Sequence, residues 1–275
     1  MTKGILIFAF NNSEIDYVSI AAYAAKQAKK FLNMPVSIVT DAVTFDHSNN
    51  FKIFDKIIVA DDSSTQVKRF YNGSENYKSA VWRNASRSNC YELSPYDETL
   101  VIDSDFIINS DFLKFCWQQS SDFLIYDSSL DLASWRDTSE FEYINQYSIK
   151  FYWATVFFFR KNKKTESFFS LIEHIKNNWD YYQKLYQLPS VKYRNDHAFS
   201  MAINIMGNDT IATIPNKMFY VTDRDYLLSH QDKKMNFLIQ KKGFTDQYTA
   251  ISTTGLDVHV MSKYSLLQVI GESNE

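Results

Sequence analysis

An uninterrupted apolar run close to the start of the chain most constrains the fold. Residues 4–10 read GILIFAF, and Asn11, Asn12 and Ser13 end the run. A strand without polar alternation is typical of a strand whose two faces are both buried, as in a parallel sheet. The run therefore predicts the central strand of a parallel sheet.

Helical and apolar segments then alternate along the chain. Residues 13–16 (SEID) resemble a capping box, and the apolar residues that follow have helical spacing. Further strands are expected at 35–40, 54–60 and 99–102, with a loop over 61–64 and a helix from Lys78 to Leu93 that ends before Pro95. This alternation predicts an α/β, Rossmann-like fold with an open, mostly parallel sheet flanked by helices, where ligands gather at the carboxyl ends of the strands.

The second half of the chain continues with longer segments. Strands are expected at 122–126, 151–159 and 256–261, and helices from Lys164 to Leu188 and from Asp196 to Met206. Asn195 or Asp196 is expected to cap the second of these helices, and Gly207 to end it. No internal repeat or linker interrupts the pattern, so we expect a single domain over residues 1–275.

The composition narrows the possible partners. The chain is 45% hydrophobic and 16% aromatic, which is ample for a large core. Its formal charge is −3, so the usual basic footprint of a nucleic-acid-binding protein is missing, although a local groove can still be basic. The first apolar run is too short to span a membrane and no cleavage site follows it, so a cytoplasmic protein without a membrane span is expected.

An acidic motif follows the strand at 99–102. Asp103 and Asp105 flank Ser104, with apolar residues on both sides. An Asp-x-Asp pair is most often a solvated turn, but two carboxylates between apolar runs are costly to bury without a cation. Mg²⁺ and Mn²⁺ accept such hard oxygen ligands and neutralise the charge of a departing diphosphate. The motif therefore predicts a divalent metal site that holds a nucleoside diphosphate group.

With these landmarks the chain resembles the GT-A fold and, within it, is similar to the family 8, glycogenin-like glycosyltransferases. The matching segments follow the order of the family over nearly the whole chain: Asn11–Asn12 with Tyr17, VTDA at 39–42, Trp82–Arg83, ETLVIDSDFII at 98–108, YRNDHAFSMAIN at 193–204 and DVHVMSK at 257–263.

The resemblance implies a role for each of these segments. It implies that Asp103, Asp105 and His259 hold Mn²⁺ or Mg²⁺, and that Asp196 lies near the transferred sugar as the catalytic residue. Residues expected to contact the nucleotide-sugar donor are Asn11, Tyr17, Asp41, Arg83, Ser104 and Lys263. The implied activity is transfer of a hexose or pentose from a UDP-sugar to a hydroxyl acceptor, with retention of configuration.

Structural roles remain open for several of these residues. A lone histidine in an apolar strand, such as His259, is more often a satisfied core residue than a ligand. Asp196 could cap its helix, and Asp41 a loop. Tyr17 could simply pack in the core rather than stack on the donor base.

Arg83 and Arg87 are four residues apart, which is the spacing of neighbours on one helix face. If the segment 78–93 is helical, Arg83 and Arg87 lie on one face and present two cations to a diphosphate, or form a solvated basic face.

The sequence departs from the family in the sugar and acceptor region. Trp153-Ala154-Thr155 replaces the family's Asn-Ser-Gly, His197 replaces a glutamine, and Lys263 follows His259 sooner than in the family. The pockets for sugar and acceptor are therefore expected to differ from those of known members.

Two other functions stay open at this point. A nucleotidyltransferase also uses paired carboxylates, but it needs a glycine-rich phosphate loop that residues 9–12 lack. A non-catalytic nucleotide- or carbohydrate-binding module would retain the fold with a decayed site. The acceptor is open as well: a glycan, a protein side chain, a metabolite, or a hydroxymethylated DNA base as in some phage genomes.

Overall fold

The computed structural model describes residues 1–61, 66–73, 75–83, 85–133, 136, 142–145, 148–189, 192–207, 211–241, 243, 244 and 246–272, and the side chains of all of these except residues 85 and 86. Most of the loop expected at 61–64 lies outside the described residues.

Strands and helices alternate in the first half of the chain. In order they are β1 (Lys3–Phe8), α1 (Tyr17–Leu32), β2 (Val36–Thr40), α2 (Ala42–His47), β3 (Lys56–Val59), β4 (Gln66–Asn72), β5 (Asn76–Trp82), α3 (Cys90–Leu93), β6 (Glu98–Asp103), β7 (Phe106–Ile107), α4 (Phe115–Gln118), β8 (Phe123–Tyr126) and β9 (Ser129–Asp131).

The second half contains β10 (Trp153–Arg160), α5 (Lys163–Asn177), α6 (Trp179–Leu185), α7 (Asn195–Met206), β11 (Ala212–Thr213), β12 (Met218–Val221), β13 (Tyr226–Gln231), β14 (Lys234–Gln240), β15 (Tyr248–Thr254), β16 (Val258–Val260) and α8 (Lys263–Glu272).

A seven-stranded sheet in the order β11-β8-β10-β6-β1-β2-β3 forms the centre of the molecule. The strands β6, β1, β2 and β3 pair in parallel, whereas β10 pairs antiparallel with both of its neighbours. The apolar runs at β1 and β6 are buried on both faces, as predicted. The prediction of an open, mostly parallel sheet flanked by helices is therefore confirmed.

Helix α1 begins later than the sequence suggested. Asp16, rather than Ser13, is the N-cap, and its carboxylate accepts a hydrogen bond from the Ser19 amide at 3.0 Å. The helix ends at Asn33, which adopts a left-handed conformation (φ 55°) that asparagine tolerates well. The buried alanines of α1 allow close packing on the central sheet.

The helix predicted from Lys78 to Leu93 is wrong. Its first part is β5, which pairs antiparallel with β4 in a two-stranded sheet, and a 3-10 helix at Ala85–Asn89 and the short α3 follow. Within the two strands only Phe70 and Ala80 are buried, so neither strand shows the apolar pattern of a core strand. The Asn12 amide group donates to the Val81 carbonyl at 2.9 Å and fixes the hairpin to the loop after β1.

The helix predicted from Lys164 to Leu188 is interrupted. It divides at Asn178 into α5 and α6 because the φ and ψ of that residue, −117° and 34°, are not helical. The predicted N-cap of α7, Asn195 or Asp196, is also wrong. Arg194 occupies the N-cap position, and no side chain forms a capping hydrogen bond there. Gly207 ends α7 as predicted, with φ 86°.

Smaller sheets complete the carboxyl-terminal part. A four-stranded sheet has the order β7-β16-β12-β9, and β13, β14 and β15 form an antiparallel sheet against which α8 packs. The strand expected at 256–261 is β16, and it pairs with β7, which directly follows the acidic motif.

Among the described residues no helix combines the length and the apolar character needed to cross a membrane.

Gly4 tests the packing of the central sheet. A β-carbon at this position would overlap the buried ring of Tyr96, whose hydroxyl lies 2.6 Å from that of Ser37. Gly4→Ala should therefore lower the free energy of unfolding by about 1–3 kcal/mol, measured by urea denaturation.

Gly271 is the matched control, because a β-carbon there meets no atom within 4 Å and the residue lies in α8. Gly271→Ala should leave the stability unchanged or raise it slightly, since alanine favours helices. Equal stabilities of the Gly4→Ala variant and the native chain would contradict this packing.

Candidate active site

The carboxyl ends of the parallel strands surround a cavity of about 460 Å³. Phe8 at the end of β1 pairs with Asp103 at the end of β6, so the acidic motif lies where the two central strands open. The cavity is lined by Asp103, Ser104 and Asp105, and Ser104 and Asp105 are buried. The acidic motif is therefore at the position where an open parallel sheet binds its ligands.

The pairing of β7 with β16 brings a histidine from the far end of the sequence to this motif. His259 pairs with Phe106, and the Val260 amide donates to the Asp105 carbonyl at 2.9 Å. His259 Nε2 consequently lies 3.2 Å from Asp105 Oδ2 and 3.8 Å from Asp103 Oδ2.

These three side chains fit a divalent cation. One ligand atom from each of Asp103, Asp105 and His259 can be chosen so that all lie within 4.8 Å of one another. Two carboxylates and an imidazole suit Mn²⁺, and the carboxylates alone suit Mg²⁺. The Nδ1 atom of His259 has no hydrogen-bond partner among the described residues, so within them the ring is oriented by the contact of Nε2 with Asp105.

Two basic side chains already contact the acidic pair. Arg87 forms an ion pair with Asp103 and donates to the Ala154 carbonyl, and Lys263 forms an ion pair with Asp105. Burial alone would raise the pKa of Asp105, but the charges of Lys263 and His259 hold that pKa well below its usual range. Burial lowers the pKa of Arg87 to about 10, so this guanidinium stays charged at neutral pH.

Asp196 also lines this cavity. Its Oδ1 accepts a hydrogen bond from the Ala154 amide at 2.9 Å, and its Oδ2 accepts one from Arg194 at 3.0 Å. The side chain is thus bonded to β10 and to a neighbouring cation instead of capping α7, and it is held facing the cavity.

Asn11 and Tyr17, which were expected to contact the donor near the first strand, lie in different environments. The Asn11 side chain bonds to Asp16 at 3.0 Å and to the Val18 amide at 3.0 Å, so it holds the turn into α1. Tyr17 lines the cavity, but its ring packs edge-on against Phe70 instead of facing outward. The Tyr17 hydroxyl is buried without a described partner, and burial together with the charge of Asp105 raises its pKa.

Arg83 and Arg87 do not share a helix face. Arg83 lines the cavity and pairs with Asp41 at 2.9 Å, whereas Arg87 is buried beneath the acidic pair. Asp41 also caps α2 by accepting from the Thr44 amide at 2.7 Å. The expected shared helix face is therefore wrong, although both arginines line the cavity, and they contact different carboxylates.

Three further cations that were not predicted from the sequence line the cavity: Lys68, Lys192 and Arg194. The Lys68 side chain lies in the wall of the cavity. Loss of water around its ammonium group, together with the charge of Lys263, lowers the pKa of Lys68 to about 8. Lys68 reaches the site only because β4 pairs with β5, and no local pattern reveals that pairing.

The Arg87–Asp103 ion pair can be tested by a double-mutant cycle. Arg87→Met leaves the Asp103 carboxylate beside Asp105 without its buried cation, so the free energy of unfolding should fall by about 3–5 kcal/mol. Adding Asp103→Asn should recover most of this loss, measured by urea denaturation.

Lys30→Met is the control for this cycle, because its ion pair with Asp232 at 3.7 Å is exposed. The loss expected there is under about 1 kcal/mol. Additive effects of Arg87→Met and Asp103→Asn would show that the two side chains do not interact.

His197 provides a test that uses pH. Burial and the charge of Arg194 lower its pKa from 6.5 to about 4, and its ring stacks on Trp179. At a pH between these two pKa values, His197 is protonated in the unfolded chain but neutral in the folded chain. A falling pH therefore favours the unfolded chain, and the free energy of unfolding decreases. Wild type should lose about 2 kcal/mol more than His197→Phe between about pH 7 and about pH 5, measured by urea denaturation. Identical pH dependence of the two proteins would exclude a lowered pKa.

Comparison with known proteins identifies the fold. No protein-family model matches the sequence, and no curated protein matches it either. The galactosyltransferase LgtC, crystallised with donor and acceptor sugar analogs, is similar with a TM-score of 0.50 and 10% identity, over 80% of this chain and 75% of that one.

Two further solved structures are similar at lower scores. The glycosyltransferase GlyE of Streptococcus pneumoniae TIGR4 has a TM-score of 0.46 and 12% identity over 78% of this chain, which spans 46% of GlyE. A putative glucose-1-phosphate thymidylyltransferase from Bacillus anthracis has a TM-score of 0.45 and 11% identity over 100% of this chain and 96% of that one. The likeness to LgtC shows that the chain has the GT-A fold, with its open, mostly parallel sheet flanked by helices.

Proposed function

We propose that the chain is a metal-dependent glycosyltransferase that moves a sugar from a nucleoside diphosphate sugar to a hydroxyl acceptor. The observation that carries this proposal is the meeting of Asp103, Asp105 and His259 at the carboxyl edge of a GT-A sheet. Asp196 lies in the same cavity. A metal-ligand cluster and a separate carboxylate are the two parts that transfer from a diphosphate requires.

The first part of the site is the cation cluster. Asp103, Asp105 and His259 would hold Mn²⁺ or Mg²⁺, which supplies positive charge for the departing diphosphate. Ser104 lies between the two aspartates and lines the cavity, where its hydroxyl is available to the donor. The resemblance to family 8 is consistent with this assignment of roles.

The donor diphosphate is expected at the basic side of the cavity. Arg83 and Lys263 line it, and so does Lys68. An arginine beside a phosphate donates charge-assisted hydrogen bonds, and a lysine acts as a compact point charge. Together these side chains favour an anionic donor over a neutral sugar, and we propose a UDP-sugar.

We propose that the base and ribose bind near the ends of β1 and β2. Asp41, which directly follows β2, is proposed to contact the ribose or base, and it would have to give up a contact with Arg83 or with the Thr44 amide to do so. Asn11 would contribute to donor binding indirectly. Its side chain holds the turn between β1 and α1, and Tyr17 is the first residue of that helix. Because the Tyr17 ring is packed against Phe70, we propose contact through its hydroxyl rather than stacking on the base.

Asp196 is proposed as the catalytic carboxylate. The anomeric carbon gains positive charge as its bond to the diphosphate oxygen breaks, and a fixed carboxylate stabilises that charge. The Ala154 amide and Arg194 hold Asp196 in place. The acceptor hydroxyl oxygen then forms the new bond to the anomeric carbon, and its proton passes to the departing diphosphate.

We propose one catalytic domain with two contributions. Residues 1–109 would bind the nucleotide sugar, and residues 110–275 would form the acceptor side and return His259 to the metal site. Trp153 lines the cavity beside Asp196, so the acceptor or sugar would contact an indole there.

Asp105→Asn tests the proposed activity. The native chain, incubated with Mn²⁺ and a panel of nucleoside diphosphate sugars, should release the nucleoside diphosphate from one of them. The variant should do so roughly a hundredfold more slowly or not at all, because a charged metal ligand is lost.

Asp111→Asn is the matched control, since Asp111 is an exposed carboxylate paired only loosely with Lys114 at 3.9 Å. It should retain the native rate. Turnover that survives Asp105→Asn would contradict the proposal. Metal-dependent nucleotide binding without turnover of any donor would favour a binding module instead, and release of pyrophosphate from a nucleoside triphosphate would favour a nucleotidyltransferase.

The acceptor is best sought in cells. Mass spectrometry of glycans, proteins, small metabolites and DNA from cells that express the native chain or Asp105→Asn should show one sugar modification that depends on Asp105. A modified DNA base among these products would identify DNA as the acceptor, despite the net charge of −3.

A further inference from the structure

We propose that Lys263 is an exchangeable counter-ion of the metal site. It neutralises Asp105 while no divalent cation is bound, and it turns to the donor diphosphate when one binds. Divalent cation and diphosphate then bind as a coupled pair, and the cation alone binds weakly. The inference rests on the proposed function for its second half only, because the first half concerns the cation.

Lys263 occupies the place that a divalent cation would take. Its Nζ contacts Oδ2 of Asp105, and His259 Nε2 lies 3.2 Å from the same oxygen. The lysine side chain is 10% exposed and the aspartate side chain 6%, so water screens the pair only weakly. A divalent cation that binds Asp105 and His259 must therefore compete with an ammonium group already on a shared ligand atom.

The second cation of the site behaves differently. Arg87 pairs with Asp103, but it also donates to the Ala154 carbonyl and its side chain is only 3% exposed. Leaving that position would strand a buried guanidinium and a partly buried carboxylate, which is costly. Arg87 is consequently a fixed part of the site, and Lys263 is the cation that can exchange.

The position of Lys263 in its helix makes the exchange possible. It is the first residue of α8, where the helix dipole disfavours a positive charge. Its remaining hydrogen bond is to the Met261 carbonyl at 2.9 Å, in the preceding loop. An anion in the cavity would thus attract the ammonium group by a small rotation of a flexible stem.

The same charges explain the coupling to a diphosphate. Once released from Asp105, Lys263 adds an unpaired positive charge to a cavity that Lys68 also lines, so the two cations repel each other. A diphosphate removes this repulsion. By linkage, each ligand then raises the affinity of the other by the same factor.

The test measures Mn²⁺ binding directly, by electron paramagnetic resonance of the free ion, without any turnover. Lys263→Met should bind Mn²⁺ alone about tenfold more tightly than the native chain, or better, because close charge pairs couple by at least this factor. Inorganic pyrophosphate, corrected for the complex it forms with Mn²⁺ in solution, should tighten Mn²⁺ binding less in the variant than in the native chain.

Lys68→Met is the matched control, because it removes the same charge from the same cavity without a described contact to Asp105. Its effect on Mn²⁺ affinity should be clearly smaller. Equal effects of the two variants would show that only the net charge of the cavity matters and would overturn the exchange. Unchanged or weaker Mn²⁺ binding by Lys263→Met would overturn it as well.

Lys263→Gln, checked by its thermal unfolding, replaces the methionine variant if that variant does not fold. If neither folds, the native chain decides: pyrophosphate must tighten Mn²⁺ binding, and no tightening contradicts the proposal. Failure of every sugar donor would refute the proposed function while leaving the Mn²⁺ result intact, so the two can fail separately.

Discussion

The site depends on one short antiparallel contact between two parts of the chain that are far apart in sequence. β7 follows the acidic motif directly, and its pairing with β16 carries His259 to Asp105. The central sheet alone would present two carboxylates at its edge. The pairing adds an imidazole and the start of α8 with Lys263, so the carboxyl-terminal part is needed to complete the cluster that the amino-terminal part begins.

Charge balance is the second constraint on this cluster. Buried carboxylates need compensation, and here each of the two has its own internal cation. Arg87 is locked by the backbone of β10, whereas Lys263 lies at the start of a helix. These two internal cations offset the charge of the carboxylates, whose oxygens together with His259 form a set that fits a metal ion. The side chains of this cluster therefore contribute both to the stability of the fold and to the proposed ligand binding.

Elements with a strong apolar pattern were predictable, and elements built from exposed residues were not. GILIFAF at 4–10 indicated a doubly buried strand, whereas β4 and β5 bury Phe70 and Ala80 alone and β5 was mistaken for the start of a helix. The acidic motif could be found from its apolar flanks. The partnership of Arg87 with Asp103 could not, because it depends on where the 3-10 turn at Ala85–Asn89 packs.

The main-chain N–H and C=O groups of Ala154 connect the two halves of the proposed chemistry. The carbonyl accepts a hydrogen bond from Arg87, which pairs with Asp103, and the N–H donates one to Asp196. The register of β10 against β8 shifts between Trp153 and Phe157, so these two main-chain groups lie outside the regular ladder and are available to both side chains. Since the link is made by main-chain atoms, evolution can change the side chain at 154 without cutting it. An alanine scan would not test this link, because residue 154 is already an alanine.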